Sequence, residues 1–130
     1  EEDNVKTEIE IIQKLQEIRN WQNIVKFYSI LSLQGNRWIF TMEVMGDDLY
    51  GHLNRVAKKV VQADGFSHRI PILTPLTRLK YIQSMINGIH VLHQNGIFHQ
   101  DIKPGNLLLG SDNVLKFTDF GLSSYNTKIR

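Results

Sequence analysis

The sequence contains no cysteine, only three prolines, and no long apolar run. Without cysteine, disulfides and thiolate metal sites are excluded. A membrane-spanning helix needs about 20 consecutive, mostly apolar residues, and no such run and no basic, apolar signal segment is present. The 15 Lys and Arg residues are dispersed and nearly balanced by 13 acidic residues. We therefore expect an intracellular, cytoplasmic protein that binds neither nucleic acid nor membrane.

The nine glycines are also informative because of the pattern that they do not form. Nowhere does Gly-x-Gly-x-x-Gly occur, so the sequence lacks a loop whose backbone covers nucleotide phosphates.

Four polar residues stand at suggestive spacing in the last third of the chain. Asp101 is a candidate base, Lys103 supplies a cation, Asn106 an amide, and Asp119 a second carboxylate. Residues 107–117 between them read as strand, polar turn and strand. Such a hairpin would place Asn106 and Asp119 side by side, and their oxygens suit Mg²⁺. The alternative is a surface loop with capping Asp and Asn residues.

The segments HQDIKPGN (99–106) and DFG (119–121) resemble the catalytic loop and the magnesium motif of protein kinases. Both segments occur in the expected order, with lysine and asparagine at the expected offsets. Lysine followed by proline in the first segment resembles Ser/Thr kinases more than Tyr kinases.

The kinase resemblance implies a role for each residue of these segments. It makes Asp101 the base that orients a substrate hydroxyl and accepts its proton, and Lys103 the contact to the γ-phosphate. Asn106 and Asp119 become the Mg²⁺ ligands. Lys103, Gly105, Asn106 and Asp119 all count as ATP-binding residues, so ATP and Mg²⁺ are the expected cofactors.

The first third of the chain resembles the small lobe of a kinase. Apolar residues over 4–18 recur at helical spacing, and the resemblance makes this the regulatory helix, with Glu8 as the glutamate that pairs with a strand lysine. Glu10 is the alternative, because the loop over 16–23 is longer than usual, and both could be solvated surface residues. Residues 24–33 and 37–45 read as strands around the turn Gln34-Gly35-Asn36.

The segment that begins at Met42 resembles the hinge between kinase lobes. In a hinge, the backbone of Glu43 and Met45 would meet the adenine edge. Met42 would gate the pocket behind adenine and would be a core residue in any case. Asp48 is placed to bind the ribose hydroxyls or to cap the following helix. Leu108 would form the floor under adenine.

Two further helices are predicted after the hinge. Residues 49–61 have a helical pattern, and 62–74 look like a loop that is longer than kinases usually carry here. Thr74 and Pro75 begin a long helix as cap and first residue, and Asn95-Gly96 ends it. Its expected apolar stripe consists of Leu76, Leu79, Ile82, Met85, Ile86, Ile89 and Leu92.

Regulatory positions follow from the same resemblance. Ile12, Phe27, His99 and Phe120 occupy positions that form a stacked apolar column in active kinases, although ordinary core burial would explain each of them. This column couples the helix that carries Glu8 to the magnesium motif, which ends at Gly121.

Gln100 departs from the family pattern, which usually has arginine before the catalytic aspartate. Glutamine cannot form the bidentate ion pair with a phosphate. We therefore expect regulation by an activating protein partner, or a constitutively active state, in place of phosphorylation of the activation segment. Residues 4–9 and 101–109 also resemble the liver-kinase-B-type upstream activators of AMP-activated kinase.

The expected fold is α+β, an incomplete two-lobe protein-kinase-like fold. Residues 1–45 would belong to the small lobe and residues 46–130 to the mainly helical large lobe, up to the start of the activation segment. A complete kinase domain is roughly twice as long. We therefore expect the 130 residues alone to be inactive.

The expected function is ATP-dependent phosphorylation of Ser/Thr hydroxyls on a protein substrate. One alternative is a pseudokinase that acts as an allosteric binding module, which the intact polar residues of 99–121 disfavour. The other is a small-molecule phosphotransferase of kinase-like fold, which usually lacks Lys103 and the Phe-Gly of the second motif.

Overall fold

The computed structural model describes residues 2–19 and 22–126, with the backbone alone for residues 2–4. Two residues of the predicted long loop, Asn20 and Trp21, therefore lie outside the described residues. The elements are α1 (Glu2–Glu17), β1 (Phe27–Leu33), β2 (Arg37–Met42), α2 (Leu49–Arg55), β3 (Ala57–Val61), β4 (Ser67–Pro71), α3 (Pro75–Gln94), β5 (Ile97–Phe98), β6 (Leu107–Leu109), β7 (Leu115–Phe117) and β8 (Ser124–Tyr125).

Strands of the described chain pair antiparallel in four two-stranded sheets: β1 with β2, β3 with β4, β5 with β8, and β6 with β7. Helices and small antiparallel sheets together confirm the predicted α+β class. None of the described helices has the length and apolar character needed to span a membrane.

The β1–β2 hairpin is confirmed with shorter strands than predicted. Gly35 and Asn36 both have positive φ, at 76° and 56°. Two residues with positive φ give the turn whose twist matches that of paired strands. The strands cover Phe27–Leu33 and Arg37–Met42, while Ile24 forms a separate parallel bridge to Phe117.

The prediction of a helix over 49–61 is wrong beyond Arg55, and the predicted loop over 62–74 contains a strand. β3 and β4 form a second hairpin because Val60 and Val61 are β-branched and favour extended backbone. Asp64 and Gly65 form the turn between the two strands. Gly65 has φ 80°, and Asp64 Oδ1 accepts a hydrogen bond from the Phe66 amide at 2.9 Å.

Helix α3 begins and ends as predicted, but only Met85, Ile89 and Leu92 of its predicted stripe pack on the core. The Thr74 hydroxyl accepts a hydrogen bond from the Thr77 amide at 3.1 Å, and Gly96 follows the helix with φ 72°. Four predicted stripe residues are exposed, namely Leu76, Leu79, Ile82 and Ile86. The buried residues are Tyr81, Ser84, Gly88 and Leu92, at steps of three and four.

The core of the described chain lies where α1, α3 and the β6–β7 hairpin meet. Phe117 at the end of β7 is fully buried, and its backbone pairs on both edges. It accepts from the Val25 amide at 3.0 Å and donates to the Asn23 carbonyl at 2.9 Å, while Leu107 lies opposite it in β6. The hairpin is thereby fixed between α3 and the segment before β1.

Gly88 is where α3 approaches β7 most closely. A Cβ at this position would lie 2.5 Å from a ring carbon of Phe117 and 3.0 Å from the Asn23 carbonyl oxygen. Gly88→Ala gains up to about 1 kcal/mol of helix propensity. Because the overlap forces α3 away from β7, we expect a net loss of about 1–2 kcal/mol of unfolding free energy.

Chemical denaturation of the chain measures this loss. Gly105→Ala is the matched control, since nothing lies within 4 Å of a Cβ there, and it should change stability little. Equal stability of the Gly88→Ala variant and the original chain would show that α3 and β7 are not in contact.

Candidate active site

Asn106 and Asp119 lie at the same end of the β6–β7 hairpin. Asn106 immediately precedes β6, and Thr118 follows β7 and donates its amide to the Asn106 carbonyl at 3.1 Å. The structure therefore brings together two candidate metal ligands that are thirteen residues apart in the sequence.

Asp101 is oriented by Asn106. The Asn106 side-chain amide donates to both the carbonyl and the carboxylate Oδ2 of Asp101, each at 2.9 Å. The Lys103 ammonium lies 3.7 Å from the same Oδ2, and the two side chains are 25% (Asp101) and 58% (Lys103) exposed. The arrangement presents a fixed carboxylate with a cation beside it at the surface, where a substrate hydroxyl can reach both.

The donor set at this end of the hairpin fits Mg²⁺. Asn106 is buried, and because its amide nitrogen donates to Asp101, its Oδ1 is left as an acceptor. Among residues 2–19 and 22–126, no group of three or more His, Cys, Asp and Glu residues could hold a metal ion. Mg²⁺ commonly binds through one or two protein oxygens, with phosphates and waters completing the shell, so Asn106 and Asp119 are a sufficient pair.

His99 connects the two segments of the site. Its Nδ1 accepts from the Asp101 amide at 3.2 Å, and its Nε2 donates to the Thr118 carbonyl at 2.8 Å. This pair of bonds assigns the ring proton to Nε2. The Ser123 hydroxyl donates to the His99 carbonyl at 2.9 Å, a contact that the sequence did not reveal.

Two residues beside these hydrogen bonds adopt left-handed backbone, which non-glycine residues rarely do. Gln100 has φ 64° and Asp119 has φ 58°. Such conformations cost of order 1–3 kcal/mol each and cluster at functional sites. The Gln100 side chain is exposed and carries no charge.

The four residues of the predicted apolar column are all buried: Ile12, Phe27, His99 and Phe120. The Phe27 and Phe120 rings lie 6.2 Å apart edge to face, and the His99 and Phe120 rings lie 5.1 Å apart. Aromatic contact therefore runs from β1 through Phe120 to the segment that carries Asp101.

Glu8 faces the site and Glu10 faces away from it. A Cβ at Gly121 would lie 3.2 Å from Asp119 Oδ1 and 3.8 Å from Glu8 Oε2, so both carboxylates border the same small space. Burial, and then the charge of Asp119, raise the pKa of Glu8. Glu10 is exposed and lines a cavity on the outer face of α1, beside Trp38. This placement favours Glu8 over Glu10.

The segment between β2 and α2 is fastened to β6. The Gly46 amide donates to the Leu109 carbonyl at 3.0 Å, and the Leu109 amide donates to the Asp47 carbonyl at 2.8 Å. Asp48 caps α2 through a 2.8 Å bond from the Gly51 amide, and its backbone bridges to Leu108. Both Asp48 and Leu108 are half-buried.

Glu43 has a contact that the sequence did not predict. Its carboxylate accepts from the Lys116 ammonium at 2.9 and 3.1 Å and from the Lys26 amide at 2.9 Å. Glu43 and Lys116 are 73 residues apart, so no local pattern marks the pair. The ion pair ties the end of β2 to β7, two strands that flank the site.

The region proposed for adenine differs from the expectation at Met42 and opens away from the candidate metal ligands. Met42 is 40% exposed, so the prediction of a core methionine is wrong, because nothing described covers that position of the β1–β2 sheet. A cavity of about 600 Å³ lies beside half-buried Met45, but Gly110 and Asp112 also line it. It therefore opens at the turn end of the β6–β7 hairpin, opposite Asn106 and Asp119.

Comparison with known proteins agrees with the geometry. The model of the protein kinase domain family matches residues 1–129, and the chain belongs to this family. It is 30% identical over 127 residues to CBL-interacting serine/threonine-protein kinase 19 of Arabidopsis thaliana, covering 98% of the chain and 22% of the relative. It is 33% identical over 110 residues to CBL-interacting protein kinase 15 of Oryza sativa subsp. japonica, covering 84% and 22%.

The chain therefore spans about a fifth of the length of these relatives. The prediction of a partial kinase domain of Ser/Thr type is confirmed. The further resemblance to liver-kinase-B-type kinases stays a prediction.

The raised pKa of Glu8 can be tested directly. The ordinary pKa of a glutamate is 4.5. Because the pKa of Glu8 is higher in the folded state, the folded protein binds more protons than the unfolded chain at pH values near and above 4.5. Stability should therefore fall as pH rises from 4.5 through the folded pKa. Glu8→Gln should abolish this fall. Asp119→Asn should lower the pKa of Glu8 only partway, because burial is the larger cause.

The carboxyl-carbon NMR shift of Glu8 and thermal unfolding against pH give the two measurements. Glu10→Gln is the control and should leave the titration of Glu8 unchanged. A Glu8 titration at or below 4.5 would contradict its placement beside Asp119.

Proposed function

We propose that these residues carry out ATP-dependent phosphorylation of Ser/Thr hydroxyls on protein substrates, within the protein that contains them. The observation that carries the proposal is the pair of hydrogen bonds from Asn106 to Asp101, which links a metal ligand to a base. Phosphoryl transfer needs little covalent chemistry from the protein and depends on positioning and charge stabilisation.

Asp101 would accept the proton of the substrate hydroxyl as that oxygen attacks phosphorus. Its carboxylate is held by Asn106 and is accessible at the surface. Lys103 would stabilise the charge that grows on the transferred phosphoryl oxygens. Its ammonium, only 3.7 Å from Asp101 Oδ2, is near enough to contact the same group.

Asn106 Oδ1 and the Asp119 carboxylate would hold Mg²⁺, which when bound neutralises phosphate charge and fixes phosphate geometry. Glu8 would pair with the strand lysine that the kinase resemblance implies; its burial, and then the charge of Asp119, raise the pKa of Glu8, so a cation there would favour its charged form. The buried rings of His99 and Phe120 would transmit the position of α1 to Asp119, and Gly121 leaves the space between Glu8 and Asp119 open.

The nucleotide base would lie against the segment that joins β2 to α2. Backbone groups of Glu43 and Met45 would meet the adenine edge, Leu108 would lie beneath the ring, and Asp48 would bind ribose. We place the boundary between the small-lobe portion (1–45) and the large-lobe portion (46–130) at this segment. The open space around Gly105 leaves room for phosphate near Lys103.

The base assignment is tested by Asp101→Asn in the protein that contains this chain, with radiolabelled ATP, Mg²⁺ and a mixed library of Ser/Thr peptides. Loss of a general base costs roughly 10²–10⁴-fold in turnover, while nucleotide affinity should change little. Asp112→Asn is the control: it removes the same charge from a turn with φ 57°, which asparagine adopts readily.

Each alternative function has its own outcome in this experiment. Nucleotide binding without any Asp101-dependent transfer would identify a pseudokinase. Transfer to a small hydroxylated molecule but to no peptide would identify a small-molecule phosphotransferase.

Gln100 supports a second proposal, that an activating protein partner or a constitutively active state takes the place of phosphorylation. Its exposed, uncharged side chain cannot form a bidentate pair with phosphate. Treatment of the protein with a phosphatase should therefore leave its peptide-phosphorylating activity unchanged, whereas Gln100→Arg should make activity sensitive to phosphatase. A large loss of activity in the unsubstituted protein after treatment would contradict the proposal.

A further inference from the structure

The β3–β4 hairpin carries positive charge that no acidic group matches. Lys59 lies directly opposite Arg69 in the antiparallel register, so both side chains project from the same face. Directly opposed like charges in a sheet are unfavourable. Within the part of the chain that the structure describes, no carboxylate forms an ion pair with Lys58, Lys59 or Arg69. The pair is therefore available to an external anion.

The acidic residue of the hairpin cannot supply that anion. Asp64 lies in the turn, where Oδ1 accepts from the Phe66 amide at 2.9 Å and Oδ2 lies 3.0 Å from Nε2 of His68. Both of its oxygens are therefore already bound at the turn, at the far end of the hairpin from α2.

Apolar side chains are exposed beside the charges. Val61 is 68% exposed and, being two residues from Lys59, projects from the same face. Phe66 in the adjoining turn is 71% exposed. A positive charge next to exposed apolar surface on one face is complementary to an extended segment in which an acidic residue is followed two positions later by an apolar one, since residues two apart in a strand share a face.

The two edges of the hairpin differ in accessibility. Arg69 Nη2 in β4 donates to the Asn54 carbonyl in α2 at 3.0 Å, which holds β4 toward the body of the chain. β3 pairs with β4 only, among the described strands, and Lys58 through Val61 are exposed. A third strand can therefore add at β3.

Lysines on an edge strand decide which strand can add there. They discourage pairing with neutral or basic strands, including a second copy of β3 itself. An acidic strand, in contrast, would relieve the repulsion between Lys59 and Arg69.

From these observations we infer that the outer edge of β3 docks an extended acidic segment of a partner protein by strand addition. The backbone of that segment pairs with β3, a carboxylate lies beside Lys59, and an apolar side chain two residues further along, on the same face, packs on Val61. This surface involves none of the residues assigned to phosphoryl transfer, so its test is independent of the proposed function.

Fluorescence anisotropy of the whole chain with labelled probe peptides tests the inference. The probe repeats Glu-Ser-Val-Ser, so that glutamate and valine share one face of an extended strand; a second peptide replaces glutamate with lysine, and a third carries an N-methyl group on every residue of the acidic sequence. We expect binding of the acidic peptide alone. Lys59→Glu should weaken that binding about tenfold or more, because the added charge repels the probe.

Thermal unfolding of the Lys59→Glu variant shows whether weaker peptide binding results from lost docking or from an unfolded protein. It places opposite charges across the hairpin at Arg69, which stabilises the strand pair, so thermal unfolding should occur at the same or higher temperature. Lys6→Glu makes the same charge change on the exposed surface of α1 and should leave peptide binding unchanged.

Three results would overturn the inference. One is equal binding by the Lys59→Glu variant, and another is equal binding of the N-methylated peptide, which cannot pair as a strand. The third is binding to phosphatidylserine-containing vesicles without binding to the acidic peptide, which would assign the surface to a membrane.

Discussion

The pairing of β7 on both of its edges is the constraint on which the rest of the site depends. On one edge β7 pairs with β6, and on the other Phe117 exchanges hydrogen bonds with Asn23 and Val25. One short strand therefore holds both β6, which follows Asn106, and the segment that precedes β1. Since Asp119 follows this strand by two residues, its distance from Asn106 is fixed by backbone bonds that do not involve its own side chain.

Side-chain contacts extend this fixed geometry outward in two directions. His99 joins the segment of Asp101 to the carbonyl of Thr118, so the candidate base and the candidate metal ligands are held together. Lys116 of β7 holds Glu43 at the end of β2, which couples the proposed adenine segment to the same strand. Pre-organisation of this kind is what catalysis by positioning and electrostatics requires.

The β3–β4 hairpin stands apart from this network. It contacts the body of the chain through α2, by the Arg69 bond to Asn54 and by a backbone bond from Ile72 to Val56. A partner bound at β3 would therefore not need to displace any residue of the proposed site. The predicted helix over 49–61 ends at Arg55 because β3 follows it almost at once and contains the β-branched residues Val60 and Val61, which favour extended backbone.

The spacing of residues 99–121 and the local turn signals were enough to predict the family, the β6–β7 hairpin, the β1–β2 turn and the cap of α3. Each of these depends on neighbouring residues: positive φ at Gly35 and Asn36, a hydroxyl at Thr74, alternating apolar residues in a short strand. The fold class and the candidate site could therefore be predicted from the sequence.

The packed face of α3, the choice of Glu8 and the ion pair of Glu43 depend on which helices and strands pack against each other. The apolar pattern of α3 is wider than the face that packs, and close approach to Phe117 selects the side that contains Gly88 and Leu92. The choice of Glu8 over Glu10 depends on how α1 is turned toward Asp119, and the ion pair of Glu43 with Lys116 depends on contact between strands far apart in sequence. The sequence by itself determined the residue types and their local backbone; only tertiary packing decided which of them face one another, because burial and charge act through space.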